Sequence, residues 1–171
     1  MRRGIYIAVA IIIIAAAAGG GLYLIMRPRA ERIEEGVYVG MRAPDFTVTG
    51  IDGSTFRLSE HRGEIVVIEF STMWCPYCTK QIEAFRKLAA ELGEGVYLVS
   101  IDVDPSERPS GEWVKQMGIT WFYGHSPEAG ILYKVTYVPM VIVVDDEGVI
   151  RYRGAYTPYD KLKLIIQQLG G

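Results

Sequence analysis

Between Ile65 and Phe70 a β-branched apolar run is broken by one carboxylate, Glu69. Two further apolar runs, Val96–Val103 (VYLVSIDV) and Met140–Val144 (MVIVV), are of the same kind. Continuous runs of this length, without strict alternation, predict strands covered on both faces. Pro76–Leu92 instead repeats at helical spacing, with Ile82, Phe85, Leu88, Ala89 and Leu92 on one face. A short helix is predicted over Pro109–Met117, then a short strand over Ile119–Phe122. Ser126-Pro127-Glu128 opens another helix, with serine as N-cap and proline at the first position. Phe46–Thr49 and Thr55–Leu58 flank Gly50-Ile51-Asp52-Gly53, which signals a hairpin. Asp145-Asp146-Glu147-Gly148 turns into a strand over Val149–Arg153, and Thr157-Pro158 is predicted to cap a last helix ending at Gly170.

Strands alternating with helices predict a sheet with helices on both faces, and the hairpins at either end make it mixed. The domain is expected over residues 41–171, a normal size for a single core. Residues 27–40 have no clear periodicity and read as a charged linker. Residues 1–26 stand apart: Gly4 to Met26 carries no charge and includes Ile11–Ile14 and Ala15–Ala18. At about 1.5 Å per residue such a helix would be roughly 35 Å long, enough to span a bilayer core of about 30 Å. A cleaved signal peptide is the alternative, but the apolar run continues through Leu22–Met26, beyond a usual signal core. A retained N-terminal anchor is therefore expected. Arg2 and Arg3 precede it and Arg27, Arg29 and Arg32 follow it, so flanking charge alone sets no orientation. A long C-terminal domain can be translocated regardless, and a chain with no spare thiol suits an oxidising compartment. The domain is expected outside the cytoplasm.

From residue 41 onward there are 13 Lys or Arg against 17 Asp or Glu, a net charge of −4 with no basic stripe. Nucleic-acid binding has no support in this distribution.

The candidate chemistry lies in Ser71-Thr72-Met73-Trp74-Cys75-Pro76-Tyr77-Cys78, which holds both cysteines of the chain. A structural zinc site normally takes four ligands, and neither His61 nor His125 sits at ligand-like spacing. A disulfide closing so short a loop removes little chain entropy, which argues against a mere staple. No metal and no cofactor are expected. Position favours a redox dithiol. Cys75 follows a strand and caps the helix that Pro76 begins, where unpaired amides and the helix dipole stabilise a thiolate. Cys75 is the expected nucleophile. Cys78, one turn further in, is expected to be buried and protonated and to resolve the mixed disulfide. Trp74 is expected to cover one side of the site. Glu69 in a buried strand should have a raised pKa, because burial disfavours its charged form. His61 and His125 read as surface or loop residues.

Ile68 to Cys78, followed by a helix, resembles the thioredoxin active site. Ala43-Pro44-Asp45-Phe46-Thr47, the glycine–serine turn, Leu58-Ser59 and the strand into Trp-Cys-x-x-Cys resemble the membrane-anchored TlpA/ResA branch of that superfamily. Val138-Pro139 before an apolar strand, then Asp-Glu-Gly, fits the same pattern, and the likeness extends over residues 41–169. It implies a thioredoxin fold with an N-terminal β-hairpin extension, preceded by one transmembrane helix. It implies a cis-proline at Pro139 facing the dithiol, with the Val138 backbone, Trp74, Pro76 and Tyr77 at the substrate. Glu69 falls where thioredoxins carry a buried acid that accepts the second cysteine's proton. TlpA/ResA relatives instead carry an acid three residues after that cysteine, where this chain has Gln81. The proton acceptor expected here is Glu69.

The expected activity is thiol–disulfide exchange on protein substrates in the reducing direction, of the cytochrome c maturation or disulfide-repair kind. The expected partners are exported proteins with disulfides or thiols and a membrane electron-transfer protein. The same fold could run as a disulfide-forming oxidant. A peroxiredoxin-like peroxidase is the rival class, but its Pro-x-x-x-Thr-x-x-Cys pattern finds Thr72 and, at the proline position, Ile68. A copper-binding module using both thiolates, with Met73 or Met140 as an added ligand, is a third.

Overall fold

The computed structural model describes residues 33–170. The expected anchor, residues 1–26, and the first part of the expected linker lie outside the described residues. Among the described residues no helix is long and apolar enough to cross a membrane.

The three apolar runs form the centre of a five-stranded sheet. β3 (Ile65–Ser71), β4 (Val96–Asp102) and β5 (Phe122–His125) run parallel, β6 (Met140–Val144) pairs antiparallel to β3, and β7 (Ile150–Gly154) antiparallel to β6, in the spatial order β5-β4-β3-β6-β7. β3 is buried at every position. The hairpin, β1 (Thr47–Thr49) and β2 (Thr55–Arg57), forms a separate two-stranded sheet. An isolated backbone bridge between Gly50 and Gly124 joins it to β5. A short 3₁₀ turn at Leu58–His61 leads into β3.

Side-chain alternation along β3 divides the core. Val66, Ile68 and Phe70 face the hairpin side and pack with Phe46, Phe56 and Tyr133. Ile65 and Val67 face the other side, with Phe85 and Leu88 of α1 (Pro76–Ala89) and Leu162 and Ile166 of α4 (Tyr159–Gln168). Glu69 has the parity of Ile65 and Val67, so it lies on the α1 side. Its register partners are Ser100 on β4 and Val141 on β6. Two short helices, α2 (Gly111–Gln116) and α3 (Pro127–Leu132), flank β5 in sequence. Ser126 caps α3 as its sequence predicts, accepting from the Ala129 amide at 3.1 Å.

Four local expectations are corrected. The folded unit begins before residue 41: within the expected linker, Val37 is buried in the core and the Gly40 amide donates to Ile150 O at 2.8 Å. The fourth core strand is Phe122–His125, because pairing with β4 selects those residues and Ile119 packs instead against Ile82 and Tyr123. Thr157 does not cap α4: the cap position is Pro158, and the Thr157 hydroxyl donates to Ala155 O. The histidines are largely covered. His61 Nδ1 lies 2.6 Å from Glu64 and its ring stacks on Phe56, while His125 Nδ1 lies 3.3 Å from the buried Asp102.

Candidate active site

β3 ends at Ser71, and the chain turns through Thr72–Trp74 to place Cys75 at the N-cap of α1. Pro76 at the first helical position has no amide to leave unpaired there. The Cys78 amide donates to the Cys75 sulfur at 3.2 Å, so that sulfur takes one of the orphan donors of the helix start. Across from it, the Cys75 thiol lies 3.6 Å from the Val138 carbonyl oxygen. The Val138–Pro139 peptide is cis. Both cysteines are free thiols.

The two sulfurs differ in setting. Cys75 lines an open groove of about 450 Å³ together with Thr72, Trp74, Pro76, Val103, Tyr137 and Val138 among others. Cys78 lines no part of that groove, and its residue is 1% exposed. Burial pushes the Cys78 thiol up, the thiol contact with Cys75 and the negative charge of Glu69 add to this, and a backbone hydrogen bond from Thr72 opposes it. Cys78 is therefore held as a protonated thiol away from the groove.

Glu69 is fully buried, and burial raises its carboxyl to about 8 against one opposing hydrogen bond, from Ser100. The Ser100 hydroxyl donates to Glu69 Oε2 at 2.8 Å, and Oε1 has no partner. Glu69 lies on the side of β3 that α1 covers, the helix that carries Cys78, and its negative charge adds to the rise of the Cys78 thiol.

The other expected residues separate. Trp74 is 67% exposed, and its indole N–H donates to Asp104 at 2.6 Å. Asp104 is held down to about 2 by hydrogen bonds from Ser106, then by that indole. Trp74, Pro76 and Val138 meet Cys75 in the groove, whereas Tyr77 stands outside it beside Tyr156, at 6.4 Å between ring centroids, with Lys80 over its ring. Met140 belongs to the core and is not a groove wall. Gln81 is buried and bonded to the Thr157 backbone, away from proton chemistry.

Sequence reasoning missed the polar neighbours of Glu69. Ser100 and Asp102 alternate on β4, both fully buried, and Tyr123 of β5 lies 3.5 Å from Ser71 through its hydroxyl. Two polar residues at alternate positions in the run VYLVSIDV, beside a strand with one acid, were the available signal.

Residues 39–153 match the AhpC/TSA family. The chain is 27% identical over 118 residues to the thiol-disulfide oxidoreductase ResA of Bacillus thuringiensis subsp. konkukian, covering 67% of this chain and 68% of that protein. It is 31% identical over 128 residues to the methylamine utilization protein MauD of Methylobacillus flagellatus, covering 73% and 61% respectively. The crystal structure of a putative thiol:disulfide interchange protein DsbE from Chlorobium tepidum superposes with a TM-score of 0.69 at 23% identity, over 81% of this chain and 99% of that one. That last likeness bears on the fold, which is thioredoxin-like.

Proposed function

The chain belongs to the AhpC/TSA family of thioredoxin-like proteins, and we propose that it is a membrane-anchored thiol–disulfide reductase working on exported proteins. One observation carries the reading: Cys75 lines the open groove while Cys78 is buried outside it, on the helix that covers the Glu69 side of β3. In the reductive direction the Cys75 thiolate attacks a client disulfide, forms a mixed disulfide and expels one client thiolate. Cys78 then gives its proton to ionised Glu69, and its sulfur attacks Cys75. The second client thiolate leaves, the Cys75–Cys78 disulfide forms, and two electrons have passed to the client. Because Glu69 titrates near 8, only a fraction is ionised at neutral pH, so resolution speeds up as pH rises toward that value.

The uncharged run Gly4–Met26 supports the anchor, and a chain with two cysteines, both in the motif, supports work in an oxidising compartment. The likeness to ResA supports a thiol–disulfide client. Electrons would come from a membrane donor that reduces the Cys75–Cys78 disulfide. The decisive measurement is the reduction potential of this couple. A value near about −270 mV supports the reductant, and one near about −120 mV makes the protein an oxidant. Rapid peroxide consumption by the reduced chain would replace both with a peroxidase.

A further inference from the structure

We propose that Ser100 and Trp121 are positioning residues that decide which oxygen of Glu69 carries the exchangeable proton. The Trp121 indole N–H donates to Ser100 Oγ at 2.9 Å, and Ser100 Oγ donates to Glu69 Oε2 at 2.8 Å. An indole N–H can only donate, and a serine has one hydroxyl hydrogen. With Trp121 occupying an acceptor position on Ser100, that hydrogen is left for Oε2. If Glu69 were protonated on Oε2, the fully buried hydroxyl of Ser100 would lose its acceptor, a costly outcome inside the core. A proton on Oε1 keeps the Ser100 bond to Oε2 intact, and Oε1 is buried with no partner among the described residues, so the proton is directed there.

The arrangement is tied to the helix that carries the thiols. Trp121 meets Phe85 of α1 edge to face, at 5.8 Å between centroids, and Phe85 lies two turns beyond Cys78. Ser100 is the register partner of Glu69 on β4. One chain of contacts thus spans β3, β4, the entry to β5 and α1. The titratable groups on this face are Cys78 from α1 and Tyr123 from β5, with Asp102 two residues beyond Ser100 on β4, while β6 offers Val141. When Cys78 resolves a mixed disulfide, its proton moves to Oε1 and Glu69 passes from carboxylate to neutral acid. The electron pair left on sulfur makes the bond to Cys75.

The inference rests on Glu69 as proton acceptor, and the experiment separates the two. The carboxyl titration of Glu69 is followed by ¹³C NMR in the reduced protein, alongside the pH profile of mixed-disulfide resolution. Ser100→Ala removes the donor that favours the carboxylate, so the Glu69 midpoint should rise by roughly one pH unit. Trp121→Phe keeps the ring against Phe85 and frees the Ser100 hydroxyl, so it should move the midpoint the same way by less. Ser100→Thr should titrate like the parent protein. A Ser100→Ala midpoint equal to the parent's overturns the proposal. In a Glu69→Gln background Ser100→Ala should leave the resolution rate unchanged, and the same fold-loss there as in the parent also overturns it. If Glu69→Gln alone resolves at the parental rate, Glu69 is not the acceptor, and the NMR midpoints still decide whether Ser100 and Trp121 orient it.

Discussion

Gln81 holds both backbone polar groups of Thr157: its Nε2 donates to the Thr157 carbonyl at 2.9 Å, and its Oε1 accepts from the Thr157 amide at 2.7 Å. Both residues are fully buried, so the pair joins α1 to the turn before α4 without help from water. An acid here could accept from the amide but would leave the carbonyl without a donor. Gln81→Glu should therefore lower stability by about 1–3 kcal/mol, read as a shift in the denaturant midpoint. Gln81→Met, which adds no titratable group, should leave the pH midpoint of disulfide resolution in place, because Gln81 has no part in proton transfer. A shifted pH midpoint in this variant would contradict that assignment.

The two cysteines should respond differently to replacement. Cys75→Ser removes the sulfur that lines the groove and should abolish exchange. Cys78→Ser should accumulate mixed disulfides between Cys75 and client, seen as adducts on non-reducing gels. Adducts formed through Cys78 in a Cys75→Ser chain would reverse the roles.

Glu69→Gln removes the proposed acceptor and should slow resolution on the order of 100-fold near pH 8, flattening its pH profile. Equal rates in stopped-flow measurements would leave Glu69 without a catalytic role.

Glu69 also links stability to pH. Its carboxyl stands at about 8 in the folded protein against 4.5 unperturbed, with burial as the main cause. Between those values the folded chain keeps a proton that the unfolded chain releases. Its contribution is fully present below about pH 4.5 and is lost as pH rises through 8. At about 1.4 kcal/mol per pH unit the effect is several kcal/mol. Comparing denaturation at pH 5 and pH 8, Glu69→Gln should lose less stability over that interval than the parent. Identical losses would mean that the acid is not held neutral.

Gly124 marks the place where the hairpin approaches the sheet. A Cβ there would collide with Val48 of β1 and crowd the Phe122 ring. Gly124→Ala should cost about 1–3 kcal/mol through overpacking. Amide exchange in Thr47–Arg57 should rise along with the loss. Unchanged protection in the hairpin would mean that Gly124 does not hold it.

The central strands and the thiol pair were legible because their signals are local. Three apolar runs define β3, β4 and β6, and Cys75 declares itself by standing before Pro76 at a helix start. Glu69 was legible as the one charge in a buried run. The Gln81–Thr157 clamp was not, since it joins a side chain to a backbone 76 residues away. Residues 34–40 dock mainly through backbone bonds, such as Gly40 to Ile150, which leave no side-chain period. Phe122–His125 has weak strand character and forms because β4 offers an edge.

The hidden position of Cys78 constrains how the protein meets its partners. In the proposed cycle client and electron donor would both reach the dithiol through Cys75, by the groove that Trp74 and Val138 border. They cannot be seated together, so the cycle alternates between them. Steady-state kinetics should then be ping-pong, with each partner inhibiting the other competitively at high concentration. On this proposal donor and client, however different elsewhere, would present the same kind of surface around their reacting sulfurs.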